Sequence, residues 1–288
     1  VVVITVLGII TIVAAVALRD PIRAYAEAKR RAELTDLADH ALRRIARDVR
    51  LALPNSIRLT GAGPVYMELL LTKTGGRYRA QPDASGAGDP LDLTAADTSF
   101  DMLGPMSALA GQSAAAGDIL VVQNLFADPA VTTSNAYTHG QAAYCGTTLS
   151  PNCITAAISS SGAGSLANET KIRFAARQFP LGSPGHRFQI VSGPVTYACT
   201  PGPVDAQGHG TGTLVRLSGY TVALAQPAGV YPGAPVAALL AENVTACSIT
   251  YEKPILAQSW ALVSMQLALT RGFETITLYH EIHVSNLP

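Results

Sequence analysis

Four cysteines, Cys145, Cys153, Cys199 and Cys247, carry the most definite chemistry in this sequence. None belongs to a C-x-x-C pair, and no histidine sits at zinc-ligand spacing from them. An even number of thiols spread over loops and strand ends fits two disulfides in an oxidising compartment. Four thiols allow three connectivities. The favoured one joins Cys145 to Cys153 around a short turn and Cys199 to Cys247, and the connectivity stays open at this level.

Other reactive side chains resolve into simpler readings. His280 and His283 are three apart in a predicted strand, so they point to opposite faces and cannot share an ion without a bulge. His280 falls on the apolar face and reads as a hydrogen-bonded core histidine. Gly208-His209-Gly210-Thr211-Gly212 is glycine-rich, but a phosphate cradle needs a strand before it, a helix after it and usually a lysine; here a strand follows, and the segment reads as a hairpin loop between Val195–Cys199 and Thr213–Leu217. Asp83, Asp89, Asp92, Asp97 and Asp101 cluster without the spacing of a calcium-binding EF-hand. They read as turn and cap residues, with calcium as the alternative. Arg43, Arg44, Arg47 and Arg50 suggest a basic ridge for nucleic acid or a partner, but Asp39 and Asp48 interleave with them, which favours a solvated helix face. No Gly-x-Ser-x-Gly nucleophile turn is present. The expectation is no catalytic residue, no metal and no cofactor other than that calcium alternative. The chain is not expected to be an enzyme. Twenty basic residues balance twenty acidic ones, which argues against a protein built mainly to coat nucleic acid, though not against a local basic patch.

The elements around these residues begin with an apolar run. The chain opens without a methionine and reads as a fragment or a processed form. Val1, Val2, Val3, Ile4, Val6, Leu7, Ile9, Ile10, Ile12, Val13, Val16 and Leu18 lie in a stretch with no charged side chain. As a helix that stretch would span about 27 Å, close to the hydrocarbon thickness of a bilayer. Being apolar on every side, it suits a membrane or the middle of a bundle. Pro21 predicts a kink. The helical period then resumes and becomes one-sided: Leu37, Ala41, Leu42, Ile45, Val49 and Leu53 share an apolar face to be covered by a sheet, and Pro54 ends the helix.

Beyond Pro54 the pattern alternates. Val65 to Leu71, Ala261 to Leu269 and Ile276 to Val284 read as half-buried antiparallel strands, with Thr270-Arg271-Gly272 joining the last two. Shorter strands are predicted at Asp118–Gln123, Thr170–Ala175, Arg187–Ser192, Val195–Cys199, Thr213–Leu217 and Val244–Tyr251.

VVVITVLGIITIVAAVAL, from Val1 to Leu18, resembles the N-terminal segment of type IV prepilins and type II secretion pseudopilins just after their processing site. The apolar aromatic and the glutamate that open the mature family sequence are absent, because this sequence starts a few residues later. RRAELTDLADHALRRIARDVRLALPNSIRL (Arg30 to Leu59), GDPLDLTAADTSFDMLGP (Gly88 to Pro105), FQIVSGPVTYAC (Phe188 to Cys199) and LYHEIHVSNLP (Leu278 to Pro288) are similar to minor pilins of the MshO type, from mannose-sensitive haemagglutinin pili. They are more loosely similar to pseudopilin J of type II secretion.

The resemblance implies an α+β, pilin-like fold: a long N-terminal helix, transmembrane in its first part and amphipathic in its second, packed on an antiparallel sheet head. The expected division is 1–20 as the transmembrane or filament-core segment, 21–53 as the amphipathic continuation and 54–288 as a periplasmic head. The implied function is that of a minor subunit that primes or caps a type IV pilus. The alternatives are a secretion pseudopilin or, less favoured, a signal-anchored periplasmic binding protein or adhesin. The implied partners are other pilin or pseudopilin subunits through the helix, inner-membrane lipid before assembly and the inner-membrane assembly platform, with no nucleic acid. The implied location is the bacterial inner membrane, then the filament. Related pseudopilins include calcium binders, which sustains the calcium alternative.

Overall fold

The computed structural model describes residues 2–107, 109, 111–150, 152–253 and 259–287, without side chains at 9, 12, 14–20 and 22. The chain runs α1 (Val2–Arg50), β1 (Arg58–Thr60), β2 (Val65–Arg77), β3 (Asp97–Met102) and β4 (Ile119–Val121). A 3-10 turn (Ala136–Thr138) and α2 (Ala142–Cys145) precede β5 (Thr155–Ala163), β6 (Thr170–Arg177) and β7 (Arg187–Thr200). The chain ends with β8 (Gly212–Ser218), β9 (Val236–Glu252), β10 (Trp260–Arg271) and β11 (Glu274–Ser285).

All strand pairings are antiparallel, in the order β11-β10-β9-β8-β7-β4-β5-β6-β3. β7 organises the sheet. One of its edges pairs with β2 from Val65↔Cys199 to Arg77↔Arg187. The other is shared by β8, through residues 195–200, and β4, through 189–191. The strands predicted separately at Arg187–Ser192 and Val195–Cys199 are thus one strand that crosses Gly193, whose φ of 133° places it in glycine-favoured backbone.

Burial follows the alternation where one face meets solvent. In β11, Ile276 and Leu278 are half-buried and Ile282 and Val284 buried, while Thr275, Thr277, Tyr279 and Glu281 are exposed. β2 departs from it, because Met67 and Leu69 enter one core while Leu70 enters another and Glu68 is fully buried. The final hairpin turns through Gly272 and Phe273, both at positive φ (60° and 62°). This is the two-residue geometry that matches strand twist.

Three apolar cores result. One lies between α1 and the sheet, drawing on β2 and β7–β11. A second gathers Tyr78, Phe100, Phe174, Phe179 and Phe188, with Phe100 and Phe188 edge-to-face at 4.9 Å. A third surrounds Tyr137 with Leu53, Leu70 and Ile154.

These facts correct the expected fold class. The chain is mostly antiparallel β-sheet, not the α+β, pilin-like arrangement of a long helix with a transmembrane first part on a sheet head. The physical reason is that α1 packs on one core, against β9–β11 and parts of β2, β7 and β8, while the rest of the sheet builds two further cores in which no α1 residue takes part. Among the described residues, no helix is long and apolar enough to cross a membrane. The expected placement as an inner-membrane protein with a periplasmic head is corrected on that ground.

Candidate functional site

Val2, Val3, Ile4, Val6, Leu7, Ile10 and Val13 all stand in solvent at the start of α1. The two threonines among them add little polarity. Thr5 Oγ1 donates to the carbonyl of Val2 at 2.8 Å, and Thr11 Oγ1 to that of Leu7 at 2.7 Å. A hydroxyl folded back on its own helix leaves an almost wholly apolar outer surface. Val1 and the side chains of Ile9, Ile12, Val16 and Leu18 lie outside the described residues. Pro21 sits inside a helix that continues across it, where its missing N–H removes one i→i−4 bond.

The far half of α1 is anchored. Leu34, Ala38, Ala41, Leu42, Ile45, Ala46 and Val49 are buried against Val263, Met265, Leu267, Ile282 and Val284, with Leu37 half-buried beside them. Leu53 lies beyond the last helical turn and enters the core around Tyr137 instead. Its N–H bonds the carbonyl of Leu70 at 2.8 Å, which lays the chain after the helix onto β2. The Cys199–Cys247 disulfide lies in the same layer as Leu42 and Ile45.

A buried charge fastens this half to the sheet. Asp48 is 3% exposed, and its Oδ2 accepts from Arg216 Nε and Tyr197 Oη, both at 2.8 Å. Burial first, then Asp48, pushes the Tyr197 phenol well above its usual range, so it remains a donor. Burial is the largest single influence on Arg216 and lowers it, but the Asp48 bond, the Asp48 charge and the Tyr197 phenol together outweigh it and raise Arg216 above its usual range. A second buried pair joins Arg58 to Glu68 at 2.7 Å, with Tyr220 Oη 3.0 Å from the same carboxylate. Burial pushes Glu68 up against the opposing pull of Arg58. The Arg58 guanidinium also bonds the carbonyls of Ala223 and Leu224 and lies 3.5 Å from the Tyr137 ring centre. Sequence reasoning missed both networks. The alternation in β2 held the one clue, since Glu68 stands in step with Leu70.

The Cys145–Cys153 disulfide closes the loop after α2. Arg177 donates to the carbonyls of Cys145 and Thr147 and so holds that loop to β6. Beside it, His139 Nδ1 lies 3.0 Å from Thr155 Oγ1. Burial, then the Arg177 charge, lowers His139 from 6.5 to about 4. The unfolded chain therefore takes up this proton first, and stability falls as pH drops from 6.5 towards 4. The full gap is worth up to about 3 kcal/mol. His139→Gln should lose less stability than the parent between neutral pH and pH ~4, by about that amount, as measured by urea denaturation at each pH. Equal acid sensitivity in the two proteins would overturn this assignment.

The remaining candidates are placed as follows. His280 faces α1 and His283 the opposite side of β11. Asp83 and Asp92 cap turns through Ser85 and Thr94, whose hydroxyl bonds hold both carboxyls below their usual range. Asp97 accepts from its own loop, at the N–H groups of Asp92, Thr98 and Ser99. Asp89 and Asp101 share Lys171 at 2.6 and 3.4 Å. Among the described residues, no cluster of three or more metal-ligating side chains occurs. The Gly208–Gly212 loop packs on the last hairpin, with Phe273 N–H bonding Gly208 O at 2.9 Å and Gly210 N–H bonding Thr270 O at 2.9 Å. A cleft of about 490 Å3 opens between Arg58, Phe126, Gln226 and Lys253. Its arginine is committed inward, to Glu68 and the carbonyls of Ala223 and Leu224.

Comparison with known proteins returns no matching family model, no matching curated protein and no matching solved structure.

Proposed function

We propose that this chain is a non-enzymatic structural subunit of a type IV pilus-class filament, a minor subunit that primes or caps assembly through its N-terminal helix. One observation carries the reading. Seven apolar side chains between Val2 and Val13 are 48–76% exposed on the helix whose far half is sunk in the head. Each such side chain gains about 1.5–3 kcal/mol on full burial. Together they offer a gross gain of about 10–20 kcal/mol, comparable with the cost of ordering two chains in a complex. Helices of other pilin subunits are the partners that would cover them. Nucleic acid is not among the proposed partners.

Deleting residues 1–18 tests the proposal. The truncated chain should neither enter nor initiate filaments when mixed with the other pilin subunits, as seen by electron microscopy and sedimentation. Its head should unfold at the urea concentration of the parent, because the first core begins at Leu34. Truncated chains that still nucleate filaments would sink the idea.

A further inference from the structure

A groove of about 540 Å3 runs along the seam between α1 and the edge strand β11, lined by Asp39, Arg43, Ala46, Arg47, Arg50 and His280. Arg43 is engaged by Asp39 at 2.6 Å. Arg47 and Arg50 have no side-chain hydrogen bond or ion pair among the described residues, so the groove carries two uncompensated positive charges. At its floor, His280 Nε2 is buried without a hydrogen-bond partner. A buried polar nitrogen left unpaired costs free energy that an incoming group would recover.

Two arginines in the last turn of a helix do interact favourably with its dipole. That accounts for their positions but not for the orphaned histidine nitrogen across the seam. The volume also exceeds what one ordered water or small ion fills, roughly 30 Å3 in the liquid. Next to the groove, β11 pairs with β10 on one side only, and among the described strands its outer edge is open over the full length Glu274–Ser285. Such an edge presents unpaired N–H and C=O groups to a further strand.

We propose that the groove and this open edge form one docking site for an acidic peptide segment. The segment adds as an extra strand beside β11 and places alternate carboxylates on Arg47 and Arg50, within reach of His280. Alternate residues of a strand repeat about every 7 Å, and Arg47 and Arg50, three apart on the helix, are separated by about 4.5 Å along its axis. Long guanidinium arms absorb the difference and grip carboxylates bidentately. The proposal rests on the groove and the edge alone and does not depend on filament assembly.

The test uses the full chain and a labelled short peptide of alternating glutamate and valine, followed by fluorescence anisotropy. The peptide should bind, and its lysine/valine counterpart should not. The double change Arg47→Glu with Arg50→Glu should weaken binding at least tenfold. Both side chains are exposed, so the thermal midpoint should hold, and Arg47→Gln with Arg50→Gln serves as the milder pair. A peptide N-methylated at alternate amides along one edge keeps its charges but cannot pair as a strand, and it should also bind at least tenfold more weakly. Undiminished binding of the N-methylated peptide, undiminished binding to either arginine pair, or displacement by equimolar inorganic phosphate would each overturn the proposal.

Discussion

Asp48→Ala is expected to destabilise the protein by about 3–5 kcal/mol, the range for removing one partner of a buried ion pair. The carboxylate is 3% exposed and takes hydrogen bonds from Arg216 and Tyr197, with Arg44 Nε a further 3.8 Å from its other oxygen. Alanine would leave Arg216 Nε and the Tyr197 hydroxyl without an acceptor at the helix–sheet seam, and the Arg216 charge with only the neutral Ser218 Oγ at 3.2 Å to bond. Asp48→Asn keeps an acceptor and should cost less. Asp48→Leu combined with Arg216→Met removes both charges together, and it should recover most of the loss because no unpaired charge remains. Urea denaturation of the four proteins checks the series. If Asp48→Ala unfolds at the midpoint of the parent, α1 is not fastened to the sheet through this network.

The second large effect belongs to Cys199–Cys247. The pair is 48 residues apart in sequence, against 8 for Cys145–Cys153. In the chain-entropy account, closing the longer loop stabilises by about 4 kcal/mol and the shorter by about 2.5 kcal/mol. The longer bridge also links β7 to β9 directly under α1, where Cys199 is 1% exposed, so its removal adds a packing loss. Cys199→Ala with Cys247→Ala should therefore lower stability by more than Cys145→Ala with Cys153→Ala, and reductant should mimic the sum. Equal losses in the two double variants would refute the ranking.

Some of this architecture was legible in the residues because local period and burial agree. The stripe from Leu37 to Val49 repeats at helical spacing and meets one continuous surface. β10 and β11 alternate because one face meets that helix and the other meets water. β1, β3 and β5 gave no such sign. They are short or rich in Ser, Thr, Gly and Ala, and their pairings with β2 and β6 supply the order that their own side chains do not. The charged residues were the least legible. Arg216 lies 168 positions from Asp48, and Tyr220 152 from Glu68. No spacing rule reaches that far, so each looked like an ordinary surface charge or a misfit within an apolar pattern.

The sequence by itself determined the local elements: an apolar opening helix that turns one-sided, alternating strands at the end of the chain, and cysteines suited to disulfides. Those properties depend on neighbours within a few positions, through backbone geometry and side-chain period. Only the tertiary structure decided that the fold is chiefly antiparallel sheet with three cores, that Asp48 and Glu68 are buried and paired, and that an arginine-lined seam borders an open edge. These depend on which distant strands meet, a choice set by the summed burial of the whole chain and not by any one segment.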